Sequence, residues 1–265
     1  FTIRNAESNG IYCYKANPTL KDLIIEDNQS NVSGAGIYIL TNEFEDDMPD
    51  TLIINNIIVR NNISTTVAAG FYFKMNSWQQ NEDEGYLLIE NSDFLYNSGS
   101  DDGAGMLLDL YKSNSNIINT NFIGNTSSHG YGVAIKADSD ENLKIINCIF
   151  SNNSTQYPGS GHVISAYGAK LINSIVYDNP SPNHTRVHVA YNSLVEDIIY
   201  QVGTFINSID NNPLFVDPEN GDYTLQPESP CVDAGTAYVE INDEVIFELS
   251  PDEYEGFAPD IGPWE

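Results

Sequence analysis

The stretch NTNFIGN (119–125) returns 28 residues later as NCIFSNN (147–153), and both are copies of a unit that runs through most of the chain. Aligned on the final asparagine, the others are DLIIEDN (22–28), NIIVRNN (56–62), NSDFLYN (91–97) and NSIVYDN (173–179). The final residues Asn28, Asn62, Asn97, Asn125, Asn153 and Asn179 are therefore 34, 35, 28, 28 and 26 residues apart, so the unit is constant and its loops vary. Three positions before each stands an apolar residue: Ile25, Val59, Phe94, Phe122, Phe150 or Val176. A glycine landmark follows in GAGIYIL, AAGFYFK, GAGMLLD, GYGVAIK and GSGHVIS, and aligning these places Gly36, Gly70, Gly105, Gly132 and Gly161 in one register.

Each unit carries three short apolar runs separated by Asn, Gly and Ser, all too short for an ordinary helix. Three strands per turn predict an all-β parallel β-helix of six to seven coils, right-handed by the general crossover preference. At about 4.8 Å per coil the rod is on the order of 30 Å long. Asparagine at a fixed bend bonds nearby backbone, tolerates left-handed dihedrals and can bond its equivalent one coil away. The repeated asparagines are thus read as architectural, with Ile25, Val59, Phe94, Phe122, Phe150 and Val176 in one internal stack.

The formal charge is −28, with 38 acidic against 10 basic residues, which argues against nucleic acid or an anionic membrane as partner. No apolar run of about 18 residues is present, so no membrane-inserted segment is expected. The chain opens in mid-coil at FTIRNAESNGIYCY, so a leader and an N-terminal cap are expected upstream of residue 1. Cys13 and Cys148 fall several coils apart, too far for a disulfide, and are read as small buried residues.

After residue 207 the repeat fades. The segment PLFVDPENGDYTL offers two strands around Asn220-Gly221, a strong hairpin signal. The chain thus divides into repeats (1–207) and a C-terminal segment (208–265), whose Phe215, Tyr223, Leu225, Phe247, Phe257 and Trp264 are expected to fold over the exposed end of the last coil. NPLFVDPENGDYTLQPESPCVDAG followed by APDIGPWE resembles the C-terminal block of a family of secreted bacterial right-handed parallel β-helix repeat proteins, the choice-of-anchor type of surface protein. The likeness implies the same fold and a secreted, extracellular or cell-surface location within a larger protein, and it specifies activity poorly.

A site must come from the outer face. Period-two alternation after each glycine points Ile37 and Ile39, Phe71 and Phe73, Met106 and Leu108, Val133 and Ile135, and His162 and Ile164 inward. The outward columns are then Tyr38, Tyr72, Leu107, Ala134, Val163 and His188, beside Leu40, Lys74, Asp109, Lys136, Ser165 and Ala190. Tyr12, Tyr38 and Tyr72 form a ladder bordered by a Lys74, Asp109, Lys136 stack and by loops 41–50 and 75–85. The ligand-binding candidates are Tyr38, Tyr72, Trp78 and Tyr111, because aromatic faces stack on sugar rings; the expected partner is a polysaccharide or cell-surface glycan. The competing reading is a solvated sheet whose tyrosines pack on one another and whose charges form a weak surface ladder. Catalysis by a polysaccharide lyase or glycoside hydrolase is the alternative, with Lys74, Lys136 and Tyr111 as base candidates and Asp109 and Asp138 as the nearest carboxylates. A chain this acidic repels a polyanionic substrate unless Ca²⁺ bridges them, so the reading leans away from an enzyme. Asp46, Asp47, Asp138 and Asp140 are the candidate oxygen ligands for Ca²⁺. His184, Arg186 and His188 alternate and are read as sharing one face.

Overall fold

In the computed structural model the described residues are 1–41, 51–75, 85–110, 113–138, 142–156, 161–180, 184–197 and 201–262. Trp78, Tyr111, Asp46, Asp47, Asp140 and Trp264 lie outside them. All strand pairing up to residue 209 is parallel, coil on coil, and the only antiparallel pairs among the described residues belong to the C-terminal segment. The chain is a parallel β-helix. Its internal stack follows the predicted register, since Ile25 pairs with Val59, Val59 with Phe94, Phe94 with Phe122, Phe122 with Phe150 and Phe150 with Val176. Ile3 and Val195 extend the column by one rung at each end. Phe94, Phe122 and Phe150 lie nearly parallel, with ring centroids 5.2 and 5.0 Å apart. No helix among the described residues is long and apolar enough to cross a membrane.

Two corners of each coil explain the asparagine pattern. The first residue of each unit takes a left-handed backbone: Asp22, Asn56, Asn91, Asn119, Asn147 and Asn173 have φ between 47° and 55°, the conformation Asn and Asp adopt most cheaply after Gly. The last residue is an internal ladder. Asn62 Nδ2 donates to Asn97 Oδ1 (3.0 Å), Asn97 Nδ2 to Asn125 Oδ1 (3.1 Å) and Asn125 Nδ2 to Asn153 Oδ1 (2.9 Å). Each amide also donates to a backbone carbonyl of the previous coil, as Asn97 does to Val59 at 2.9 Å. Each Oδ1 accepts the neighbouring backbone N–H as well, as Asn97 does from Asn62 at 3.1 Å. These buried side chains are thereby satisfied, which a polar column inside a core requires.

The glycine landmark has a different cause. A Cβ on Gly36 would stand 2.5 Å from the Gly70 carbonyl oxygen, and one on Gly70 2.4 Å from that of Gly105, so the coils approach too closely for a side chain. The predicted register fails at Gly132. Met106 pairs with Ile135, so the residue below Gly105 is Ala134, two positions later than the glycine alignment implies. Gly132, with φ +66°, instead plays the part of the left-handed Gly103 at φ +63°.

The C-terminal segment also departs from expectation. It carries the predicted hairpin, Phe215–Asp217 against Asp222–Leu225, turned through a short 3-10 stretch (Pro218–Asn220) and left-handed Gly221 (φ 85°). A second hairpin, Tyr238–Ile241 with Glu244–Glu248, turns at Asn242 and Asp243, which both have positive φ. Its apolar residues lie on the flank of the rod. Phe215, Cys231 and Ile261 pack on the outward side chains of Ile123, Ile149, Ile175 and Leu194. Val239 and Ile246 pack on Ile146 and Ile172, around the corner. The corner asparagines hold the strap: Thr236 N–H donates to Asn173 Oδ1 (2.8 Å), Asn173 Nδ2 to the Thr236 carbonyl (2.9 Å) and Asn192 Nδ2 to the Ala234 carbonyl (3.1 Å). The last rung, Val202–Ile206, continues to Ile209, which bridges Leu194. Its outward residues Val202 and Ile206, register partners of Arg186 and Tyr191, are 45% and 36% exposed, while the inward Phe205, below Ala190, is half-buried against the core. Phe257, expected in the apolar cover, is 96% exposed.

All three cysteines are free. Cys148 is fully buried in the core and its thiol is pushed up to about 12, chiefly by burial. Cys231 is buried under the strap and rises to about 12 for the same reason.

Candidate functional site

Alternation turns Tyr12, Tyr38 and Tyr72 outward on one face, as expected, in direct register from rung to rung. The rings stack on one another, with centroids 5.2 and 5.0 Å apart and planes within 15° and 12° of parallel. Both faces of Tyr38 and one face each of Tyr12 and Tyr72 are therefore taken, and what the ladder offers to solvent is mostly ring edges and hydroxyl groups, with the far face of the 60% exposed Tyr12. Burial raises the pKa of the Tyr38 and Tyr72 hydroxyls, helped by the neighbouring tyrosine, so they remain protonated donors.

The two-residue slip at Gly132 rearranges the rest of the column. Leu107 pairs with Lys136, not Ala134, and Lys136 with Ser165, which pairs with Arg186. One outer column thus reads Tyr12, Tyr38, Tyr72, Leu107, Lys136, Ser165, Arg186: an aromatic half followed by a basic half. Lys136 consequently leaves the predicted stack with Lys74 and Asp109, and Asp138 takes its place, paired with Asp109. Lys74 bridges Asp109 at 3.2 Å. Lys136 bridges Asp102 at 2.7 Å and Asp138 at 3.7 Å. Burial pulls the Lys136 amine down, but its hydrogen bond to Asp102 and the charges of Asp102, Asp138 and Asp101 outweigh this and hold it above its ordinary value. An amine held protonated is a poor general base. Asp138 faces an ammonium group, and among the described residues no three His, Cys, Asp or Glu side chains converge.

Several participants were not legible from the repeat. Asp102, on the loop before Gly103, also accepts the Tyr131 N–H at 2.5 Å and so ties that loop to the next coil. The Tyr131 ring stands 5.3 Å from His162, which is 5.9 Å from His184. Arg186 lies over the Tyr167 ring at 4.6 Å and donates to its hydroxyl. His188 does not share their face: the strand His162–Ile172 bends, the register shifts beside it, and His188 comes out on the adjoining flank.

His162 is buried, 4% exposed, and its pKa falls to about 4 because burial, then the nearby Arg186 and His184, disfavour the cation. Between about pH 6.5 and pH 4 the unfolded chain takes up a proton there that the folded chain refuses, so stability falls as pH drops through that window. The expected loss is about 3 kcal/mol at most. Thermal melts of the parent and His162→Gln should diverge between those pH values and run parallel above about pH 7; a parallel course throughout would remove His162 from the acid response.

Residues 1–180 match a protein-family model described as a right handed beta helix region. No curated protein matches the chain, and no solved structure does. Parallel coils, the asparagine ladder and a match over more than half of the sequence agree, and the chain belongs to the right-handed β-helix family.

Proposed function

We propose that the chain is a carbohydrate-binding β-helix module of an extracellular or cell-surface protein, with a polysaccharide lying along the tyrosine face. The carrying observation is the outward ladder Tyr12, Tyr38, Tyr72, set beside the Lys74–Asp109 pair, whose lysine stands on the same strand as Tyr72. The stacked rings leave hydroxyl groups repeating once per coil, a spacing comparable to a sugar ring, beside an ammonium and a carboxylate that bond hydroxyls. Membership of the β-helix family fits a carbohydrate-related or enzyme-like module.

Because ring faces are turned to each other, affinity is expected to come from hydroxyl edges. Tyr72→Phe should therefore weaken binding nearly as much as Tyr72→Ala, by roughly two- to tenfold, the worth of one neutral hydrogen bond. The measurement is calorimetry over a panel of neutral and uronic-acid glycans. Binding unaffected by both variants would sink the reading. Assaying the same panel for unsaturated uronides and new reducing ends tests the lyase or hydrolase alternative, which Asp109 and Asp138 on adjacent rungs keep in view. Lys136 and Lys74 each already face a carboxylate, and this favours binding over turnover.

A further inference from the structure

The outer column that begins with three tyrosines ends in two cations, and their surroundings differ. Lys136 lies against Asp102 and Asp138, so its charge is matched. Arg186, two rungs on, has Ser165 and Val202 as register partners, and among the described residues no carboxylate reaches it. Its contacts are to a neutral group: the guanidinium lies 4.6 Å from the centre of the Tyr167 ring and donates to the Tyr167 hydroxyl. A phenol of this kind orients the planar fork without cancelling its charge.

Two buried polar atoms in the same patch make no hydrogen bond among the described residues: Arg186 Nε and Nδ1 of His162, which is 4% exposed. Buried polar atoms are nearly always paired, so two orphans side by side call for an explanation. His184, 5.9 Å from His162, shares a face with Arg186, since the buried Thr185 separates them on one strand. The exposed rings of Tyr131 and Tyr167 border the patch. The net charge then limits the partner. At −28 the chain repels a polymer that is acidic at every ring, whereas one unmatched guanidinium attracts an isolated acid.

We infer that the polysaccharide of the tyrosine face is largely neutral and carries isolated uronic-acid units, one carboxylate of which is received by Arg186 with His184 beside it. This rests on the reading of that face as a polysaccharide groove and gives the groove an acid-recognising end. A carboxylate matches the guanidinium fork in shape and charge. Arg186 is four rungs from Tyr72, about 19 Å. The acid unit therefore lies several rings along the chain from the sugars at the tyrosines.

The test titrates the whole chain with single sugars, which cannot span four rungs and so do not need the tyrosines. The probes are methyl glucuronide, methyl galacturonide and methyl glucoside, followed by calorimetry and by the ring NMR signals of His184 and Tyr167. At least one uronide is expected to bind and to shift those signals, while the glucoside does neither. Arg186→Gln should weaken uronide binding by roughly tenfold or more, as for loss of a hydrogen bond to a charged group. Arg186→Lys, which keeps the charge and loses the fork, should recover only part of it, and it carries the comparison if Arg186→Gln does not fold. Lys144→Gln removes the same charge in the cleft beneath the second C-terminal hairpin and should leave uronide binding unchanged. Trigalacturonate should bind no more tightly than the single uronide, because its further carboxylates meet an acidic surface. Failure of both uronides to bind, glucoside binding as tight as theirs, indifference to both Arg186 variants, or tighter binding of trigalacturonate would overturn the proposal. Uronide binding at Arg186 without any glycan binding at the tyrosines would fault the tyrosine reading alone.

Discussion

Removing residues 212–265 is expected to leave the coil stack in place and make it insoluble. The cut spares the rung that ends at Ile209, so no internal coil is disturbed. What it uncovers is a row of buried aliphatic side chains on the outside of the rod: Ile123, Ile149, Ile175 and Leu194 on one face, Ile146 and Ile172 around the corner. Each such side chain gains about 1.5–3 kcal/mol from burial, so their joint exposure is on the order of 10 kcal/mol, comparable to the stability of a whole domain. A contiguous apolar strip of this kind is also an aggregation surface. Soluble yield and size-exclusion profile of the truncated chain are the measurements. Replacing Ile149 and Ile175 by Thr within the truncation should recover part of the soluble fraction, because the loss is assigned to that strip and not to the open end of the helix. A monodisperse truncation with the parent's melting temperature would show that the strap does not stabilise the rod.

The second large effect is expected at the centre of the asparagine ladder. Asn97→Ala deletes the acceptor of the Asn62 N–H and Nδ2 (3.1 and 3.0 Å) and the donor to the Val59 carbonyl and to Asn125 Oδ1 (2.9 and 3.1 Å). All of these groups are buried, where an unmade hydrogen bond costs about 1–3 kcal/mol each. Allowing for relaxation, a loss of about 3 kcal/mol or more and a fall in melting temperature of roughly 10 °C are expected. Asn97→Asp should be worse, since it keeps the acceptor but sets a carboxylate against the Val59 carbonyl and Asn125 Oδ1. Asn179→Ala should cost about as much, because at the upper end of the ladder Asn179 Oδ1 still accepts the Asn153 N–H and Nδ2 (3.0 and 3.1 Å) and its Nδ2 donates to the Phe150 and Tyr177 carbonyls (2.9 and 3.2 Å). Parent-like melting temperatures for both variants would contradict a ladder whose bonds stabilise the coil stack.

The repeat was readable because its chemistry is local and recurs. An asparagine that must turn the chain, an apolar residue three positions before the final asparagine and a glycine where coils nearly touch are each dictated by the same contact with the coil above and below. Six copies of that contact expose the period, and from it follow the fold, the internal stack and the structural role of Asn28 through Asn179. The outward direction of Tyr38 and Tyr72 came from the same alternation.

What tertiary structure alone decided is whatever depends on a slip in the period or on contacts outside it. Gly132 fits the glycine pattern as well in the wrong register as in the right one, and only pairing of Met106 with Ile135 shows that Lys136 belongs under Leu107. A two-residue error keeps every inward residue inward, so burial gives no warning, yet it exchanges one outer column for its neighbour. Alternation fixes which way a tyrosine points but not the tilt of its ring, so the stacking of Tyr38 between Tyr12 and Tyr72 was not readable either. The C-terminal segment has no repeat to constrain it. Its apolar residues had to be covered by something, and end and flank are both apolar. The outward Ile149, Ile175 and Leu194, with Asn173 and Asn192 free at the corner to bond its backbone, drew it to the flank. The cleft between that strap and Lys144 and Lys170 exists only because of that choice, which joins residues roughly 60 to 130 positions apart that no local pattern relates.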